Sequence, residues 1–158
     1  MGGELLIREL NTFQNNEVLT GITILSVLKI TEQLEITKAL LIEPLLSYKS
    51  IREYMKKSNS KVRSIEELIV KQNIAFSNFD KRFEDKLPFS INAILLMAQL
   101  QLMRVDKNKL VFTGDLFDFT EKTLGKPAQE VIAASKNMAQ ILMKEDASSL
   151  YLSLRVEI

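Results

Sequence analysis

Histidine and cysteine are both absent from the 158 residues, and their absence removes whole chemistries. There is no imidazole for a Ser-His pair, no thiolate nucleophile, no His or Cys zinc site and no disulfide. Carboxylates, lysines, serines and tyrosines are what is left for catalysis. Glycine-rich phosphate loops are absent too, since neither GxxxxGK[ST] nor GxGxxG occurs. No uncharged apolar run reaches the roughly 18 residues a membrane span needs, and Met1 to Glu4 lacks the basic start and small-residue cleavage site of a signal peptide. The expectation is a soluble cytoplasmic protein without membrane contact. Nor is either sign of charge in excess: a net charge of +1 argues against a protein that coats nucleic acid over its whole surface.

What is present is the make-up of an ordinary globular chain, with 46% hydrophobic and 26% charged residues. One domain over residues 1–158 is expected, with a helical part at 1–63, a helix-and-hairpin part at 64–125 and a closing helix and tail at 126–158. Charge is unevenly distributed. Residues 1–48 carry Glu4, Glu9, Glu17, Glu32, Glu35 and Glu43 against Arg8, Lys29 and Lys38. The next segment holds Lys49, Arg52, Lys56, Lys57, Lys61 and Arg63 against only Glu53.

Hydrophobic periodicity gives a mainly α-helical chain. Asn15-Asn16-Glu17 begins a helix through Ile30 whose apolar residues cover most of its circumference, so it should be buried. Ile36 to Leu46 fits either a buried helix, kinked or ended near Pro44, or a strand, and is taken as helix. Tyr48 to Lys57 reads as helix with Ile51, Tyr54 and Met55 on one side, followed by a polar loop at Ser58 to Lys61. Ser64-Ile65-Glu66-Glu67 is a capping box. The helix it starts has the face Ile65, Leu68, Ile69, Phe76, Phe79 and Phe83, and Pro88 marks its latest end.

In the stretch PFSINAILLMAQLQLMRVDKNKLVFT, Ser90 is placed to cap a helix through Met97 to Leu100. Leu102 to Val105 and Leu110 to Thr113 then flank the turn Asp106-Lys107-Asn108-Lys109. A helix running into a short hairpin is the order of a winged helix, a module that touches nucleic acid or another protein. In the loop from Gly114 to Gly125, Leu116, Phe117 and Phe119 imply docking onto the body. Pro127 sits at the first turn of a last long helix with the face Ala128, Val131, Ile132, Ser135, Met138, Ala139 and Leu142. Beyond Ser148, Leu150, Leu152, Leu154 and Val156 alternate with polar residues. That pattern favours a terminal strand, or a short helix entering an extended tail.

Candidate sites follow from these placements. Lys49, Arg52, Lys56, Lys57, Lys61 and Arg63 form a basic segment suited to DNA or to an acidic protein surface. Arg104, Lys107 and Lys109 at the hairpin could join it, although a solvated turn explains them as well. Arg52 lies three residues from Lys49 and is suited to a bidentate pair with a phosphate or carboxylate; a salt bridge within the fold, to Glu53 or Glu43, is the simpler expectation. Leu150, Leu152, Leu154 and Val156 are the candidate protein interface, because an unpaired terminal strand invites edge addition. Asp115, Asp118 and Glu121 share a loop without the spacing of a metal site. No catalytic residue, metal, cofactor or small-molecule substrate is expected.

The order of features resembles the small middle component of three-component ABC-ATPase systems, bacterial conflict systems that include Lamassu-type anti-phage defence. The resemblance spans nearly the whole chain. It rests on Asn16-Glu17 ahead of a buried helix, on Leu40-Leu41-Ile42-Glu43-Pro44-Leu45-Leu46 followed by Lys49 and Arg52, and on Ser64 to Phe83, Ser90 to Thr113 and Pro127 to Met143. Leu154-Arg155-Val156 is similar to the family's closing Leu-x-Val. The chain departs from the family pattern at Tyr48, where histidine is common, at Met55-Lys56, where a proline is common, and in a closing helix without glycine. The resemblance implies a non-enzymatic subunit that joins an SMC- or Rad50-like ATPase, a sensor of DNA, to an effector that is often a nuclease. It would hold the effector restrained until activation. The rival from the residues alone is a free-standing winged-helix DNA-binding transcriptional regulator. Against it, Ser90 to Leu100 offers mainly Asn92 and Gln99 among apolar side chains, poor material for reading bases.

Overall fold

The computed structural model describes residues 16–57, 62, 64–120 and 124–157. Helix α1, Asn16–Thr31, has no polar stripe, and the fold meets that by covering it on all sides from Thr20 to Leu28. Val18, Ile22, Ile24, Leu25, Val27 and Leu28 are fully buried. The hydroxyls of Thr23 and Ser26 donate back to the carbonyls of Leu19 and Ile22 at 2.8 and 2.7 Å, so these polar side chains enter the core satisfied. Glu32 ends the helix in the left-handed conformation, φ 67°, and its carbonyl accepts from Phe112 N.

The chain then makes β1 (Gln33–Glu35), α2 (Ile36–Ala39), α3 (Ile42–Leu46) and α4 (Lys49–Met55). Of the two readings of the apolar run at 36–46, helix is the one formed, in two short pieces. Pro44 stands in the first turn of α3, where a missing amide costs little.

Ser64 caps α5 (Ile65–Lys71) by accepting from Glu67 N at 3.1 Å. The helix does not run on to Pro88. It stops at Gln72, gives way to a 3-10 turn at Asn73–Phe76, and a new helix, α6, spans Phe79–Gln99 with Pro88 inside it. Ser90 is therefore no cap; it is buried mid-helix. The reason is visible in the burial pattern: Phe79, Phe83, Ser90, Ile94 and Met97 continue one inward stripe across the proline. Pro88 and Glu84, the residue whose carbonyl the ring displaces, both face solvent. Arg82 locks the break in place. Its guanidinium stacks 4.5 Å from the Tyr48 ring and 5.0 Å from the Phe79 ring, and donates to the carbonyls of Pro44 and Ala75 at 2.7 and 3.1 Å.

Strands β2 (Met103–Asp106) and β3 (Lys109–Phe112) form the expected hairpin, with Asp106 opposite Lys109 and Lys107 at φ 57° in the two-residue turn. The sheet has a third, antiparallel strand: Leu34 of β1 pairs with Leu110, giving the order β1-β3-β2. Phe117 and Phe119 dock on the body with their rings edge to face at 4.7 Å, whereas Leu116 is fully exposed.

Helix α7, Lys126–Lys144, starts after Gly125, whose φ of 91° favours glycine, with Pro127 in its first turn. The C-terminal residues form helix α8, Ala147–Leu154, capped by Asp146 accepting from Ser149 N at 2.8 Å. Of the two sequence readings, the terminal strand is not formed; a short helix enters an extended tail. Leu150, Tyr151 and Leu154 point inward, and the Tyr151 hydroxyl donates to the carbonyl of Thr37, pinning α8 to α2. Nearby, the buried Lys38 ammonium donates to the carbonyl of Leu142 at 2.7 Å, near the end of α7. The result is a mostly helical domain with one small antiparallel sheet and one continuous hydrophobic core. No described helix is long and apolar enough to cross a membrane.

Candidate interaction surface

α4 and α7 lie side by side, and the basic segment is built on that pairing. Ile51 and Met55 bury the inner face of α4. Asn137 of α7 donates to the carbonyl of Met55 at 2.7 Å, fixing the helix along its neighbour. Arg52 is the junction. Its Nε lies 3.3 Å from Glu130 Oε2, and its Nη1 donates to the carbonyls of Leu46 and Ser47 at 3.0 and 3.2 Å, satisfying groups left open at the end of α3. Lys56 reaches both Glu53, at 3.1 Å, and Glu130, at 3.8 Å. A salt bridge within the fold is thus what Arg52 forms, with a partner 78 residues away in place of Glu53 or Glu43.

Lys49, the first residue of α4, and Lys57, just past its C-cap, are exposed. Lys61 and Arg63 lie outside the described residues. Arg104, Lys107 and Lys109 are exposed on the hairpin, a different element of the fold from the α4–α7 pair. Leu150, Leu154 and Val156 are core residues, at 0%, 5% and 8% exposure, and only Leu152, at 81%, is available to a partner. The sequence reading of these four as one interface fails because the backbone takes the helical period, which separates Leu152 from the other three.

Glu43, weighed in the sequence only as a salt-bridge partner for Arg52, is a buried carboxyl. It sits in α3 at 8% exposure, and burial pushes its carboxyl up to about 7, with the charges of Lys86 and Arg52 and the Thr20 hydroxyl offsetting part of that rise. The carboxylates of the 115–121 loop do other work. Asp118 accepts from the backbone and hydroxyl of Thr120 at 2.8 and 2.6 Å, bonds that hold it below the usual carboxylate range. Asp115 is exposed and Glu121 lies outside the described residues. No group of three or more potential metal ligands exists among the described residues.

Two basic residues that sequence reasoning passed over complete the surface. Lys126 and Lys136 are exposed on α7 beside α4. Their signal was present in the chain, because both fall opposite the apolar face of the last helix.

The model of one protein family, the ABC-three component (ABC-3C) system Middle Component 3, matches residues 3–158. No curated protein and no solved structure matches the chain.

Proposed function

The chain belongs to the Middle Component 3 family of ABC-three component systems, and from that premise we propose that it is a non-catalytic bridging subunit of a bacterial anti-phage defence complex of the Lamassu kind. It joins an SMC- or Rad50-like ABC ATPase, which senses DNA, to an effector subunit such as a nuclease, and restrains that effector until activation. The complex works in the cytoplasm. The family match over nearly the whole chain carries this reading.

Lys49, Arg52, Lys56, Lys57, Lys61 and Arg63, with Arg104, Lys107 and Lys109 of the hairpin, are the proposed contacts to DNA or to an acidic partner. Leu152 supplies an apolar contact. Helix α6 followed by the hairpin, with β1 completing the sheet, supports a winged-helix-like module. Its exposed residues argue for protein contact over base reading. Asp80, Glu84 and Asp85 line α6 with the apolar Ile91 and Leu95, and Asn92 is bonded to Glu17 at 3.1 Å.

Tagged capture of the chain, co-expressed with the reading frames adjacent to its gene, tests the proposal. The expected result is a stable assembly at moderate salt that contains a large ATPase. A lone monomer or homodimer that binds duplex DNA with a steep salt dependence would overturn it and install the free-standing regulator.

A further inference from the structure

Helix α1 separates two unlike surfaces. Gly21 faces α6, since a Cβ there would meet the Met97 side chain. Leu19 lines a depression with Lys126, Pro127 and Val131 of α7. Positions two apart on a helix point in nearly opposite directions, about 200° around the axis. α6 and α7 therefore flank α1 on opposite sides. The outer face of α6 carries Asp80, Glu84 and Asp85 against Lys81, together with the apolar Ile91 and Leu95, whereas that of α7 is basic.

From this geometry we infer that the outer face of α7, with the adjoining edge of α4, is a docking seam for an acidic α-helix of a protein partner. Lys126, Ala133, Lys136, Gln140 and Met143 are all exposed and recur at heptad-like spacing within an arc of about 100°. Ala133 leaves a shallow centre into which a facing side chain can pack. Met143, at 53% exposure, adds an adaptable apolar end. Lys126 and Lys136 project on either side of that centre, Lys49 opens the neighbouring α4, and Lys57 follows that helix. Of the carboxylates at the margin of the seam, Glu130 is engaged by Arg52 and Lys56, and Glu53 by Lys56. Lysine charge along a helix face with a small residue in the middle is complementary to a helix bearing Glu or Asp at its flanking positions.

A polyanion fits the same face less well. The arginine best suited to grip a phosphate is occupied by Glu130 and two carbonyls. Glu53, half exposed, and Glu130 lie among the cations, and a phosphate chain would have to pass them. Ala133 and Met143 give nothing to a phosphate.

The seam extends the bridging reading and rests on it only for the existence of a protein partner. Its test is capture of the full chain, co-expressed with the adjacent reading frames, in three forms: wild type, K126E/K136E, and the surface control K71E/K81E, at two exposed lysines outside the proposed contacts. Both altered pairs are exposed, so unchanged thermal unfolding is expected and is checked first. In parallel, a photo-crosslinking residue replaces Ala133. The seam predicts that K126E/K136E lowers recovery of one partner protein on the order of tenfold while K71E/K81E does not. It further predicts that the crosslink from position 133 lands on an acidic helical segment of that partner, and that reversing charges in that segment restores capture by K126E/K136E. Full recovery with K126E/K136E, a crosslink to nucleic acid, or a loss reproduced by nuclease treatment overturns the seam. ATPase and effector both captured without need of the seam defeats the seam alone. Capture of a single component through the seam, with no second one, defeats bridging alone, and no captured component defeats both.

Discussion

Helices α1 and α7 are of similar length, 16 and 19 residues, and pack against each other, yet they play opposite parts. α1 has no polar face and is enclosed by the rest of the molecule. α7 sets one face into the core and gives the other to solvent. The difference teaches where this fold keeps its rigidity and where it keeps its chemistry: a buried post holds two helices apart, and those helices carry the surfaces a partner can meet.

The largest test of that contrast is truncation on each helix. Ile22→Ala or Leu25→Ala removes a fully buried side chain of α1 and should cost about 2–5 kcal/mol. Lys136→Ala on the solvent side of α7 should stay within about 0.5 kcal/mol. Denaturant unfolding of the variants measures both, and equal costs would erase the distinction.

The core around α1 also predicts a pH dependence. Glu43 titrates near 7 in the folded chain against 4.5 when exposed, so the unfolded state releases its proton first as pH rises. Stability is fully present below about 4.5 and declines as pH climbs through about 7, by an amount on the order of 3 kcal/mol at most. Glu43→Gln should flatten that decline in unfolding curves taken between about pH 5 and pH 8. A wild-type curve rising over that interval would show that Glu43 is ionised and well paired instead.

Arg52 sharpens the comparison at α7, because it fastens α4 to that helix. Arg52→Ala should lose about 2 kcal/mol, and Arg52→Lys should recover little of it, since an ammonium cannot serve Glu130 and two carbonyls together. A neutral Arg52→Ala would mean that α4 is held by Ile51 and Met55 alone. Among the variants that remove a native contact, the smallest loss belongs to an element outside the contrast: Ser64→Ala at the α5 cap should cost about 1 kcal/mol, read from the unfolding midpoint.

Much of this fold was legible in the sequence wherever the signal was local. The Ser64 capping box, the hairpin with its turn within Asp106 to Lys109, the buried first helix and the start of α7 near Pro127 all follow from nearest-neighbour chemistry. What escaped depends on distant contacts. β1 is three residues, Gln33–Glu35, too short for a period, and exists because β3 pairs with it. The chain breaks at Gln72 because Arg82 gathers Tyr48, Pro44 and Ala75 around the turn. The alternation from Leu150 to Val156 fits two periods, and only docking of Tyr151 on Thr37 selects the helix. The candidate site behaved likewise. Exposure of Lys49, Lys57 and the hairpin cations could be read from the chain, but not the Arg52–Glu130 pair that joins the basic segment to Lys126 and Lys136.

The central claim, that this subunit bridges two others, is tested most directly by mixing the purified ATPase and effector components with and without it and weighing the assemblies. Bridging predicts that ATPase and effector associate only when the chain is present. The same ATPase–effector mass in its absence would contradict the account.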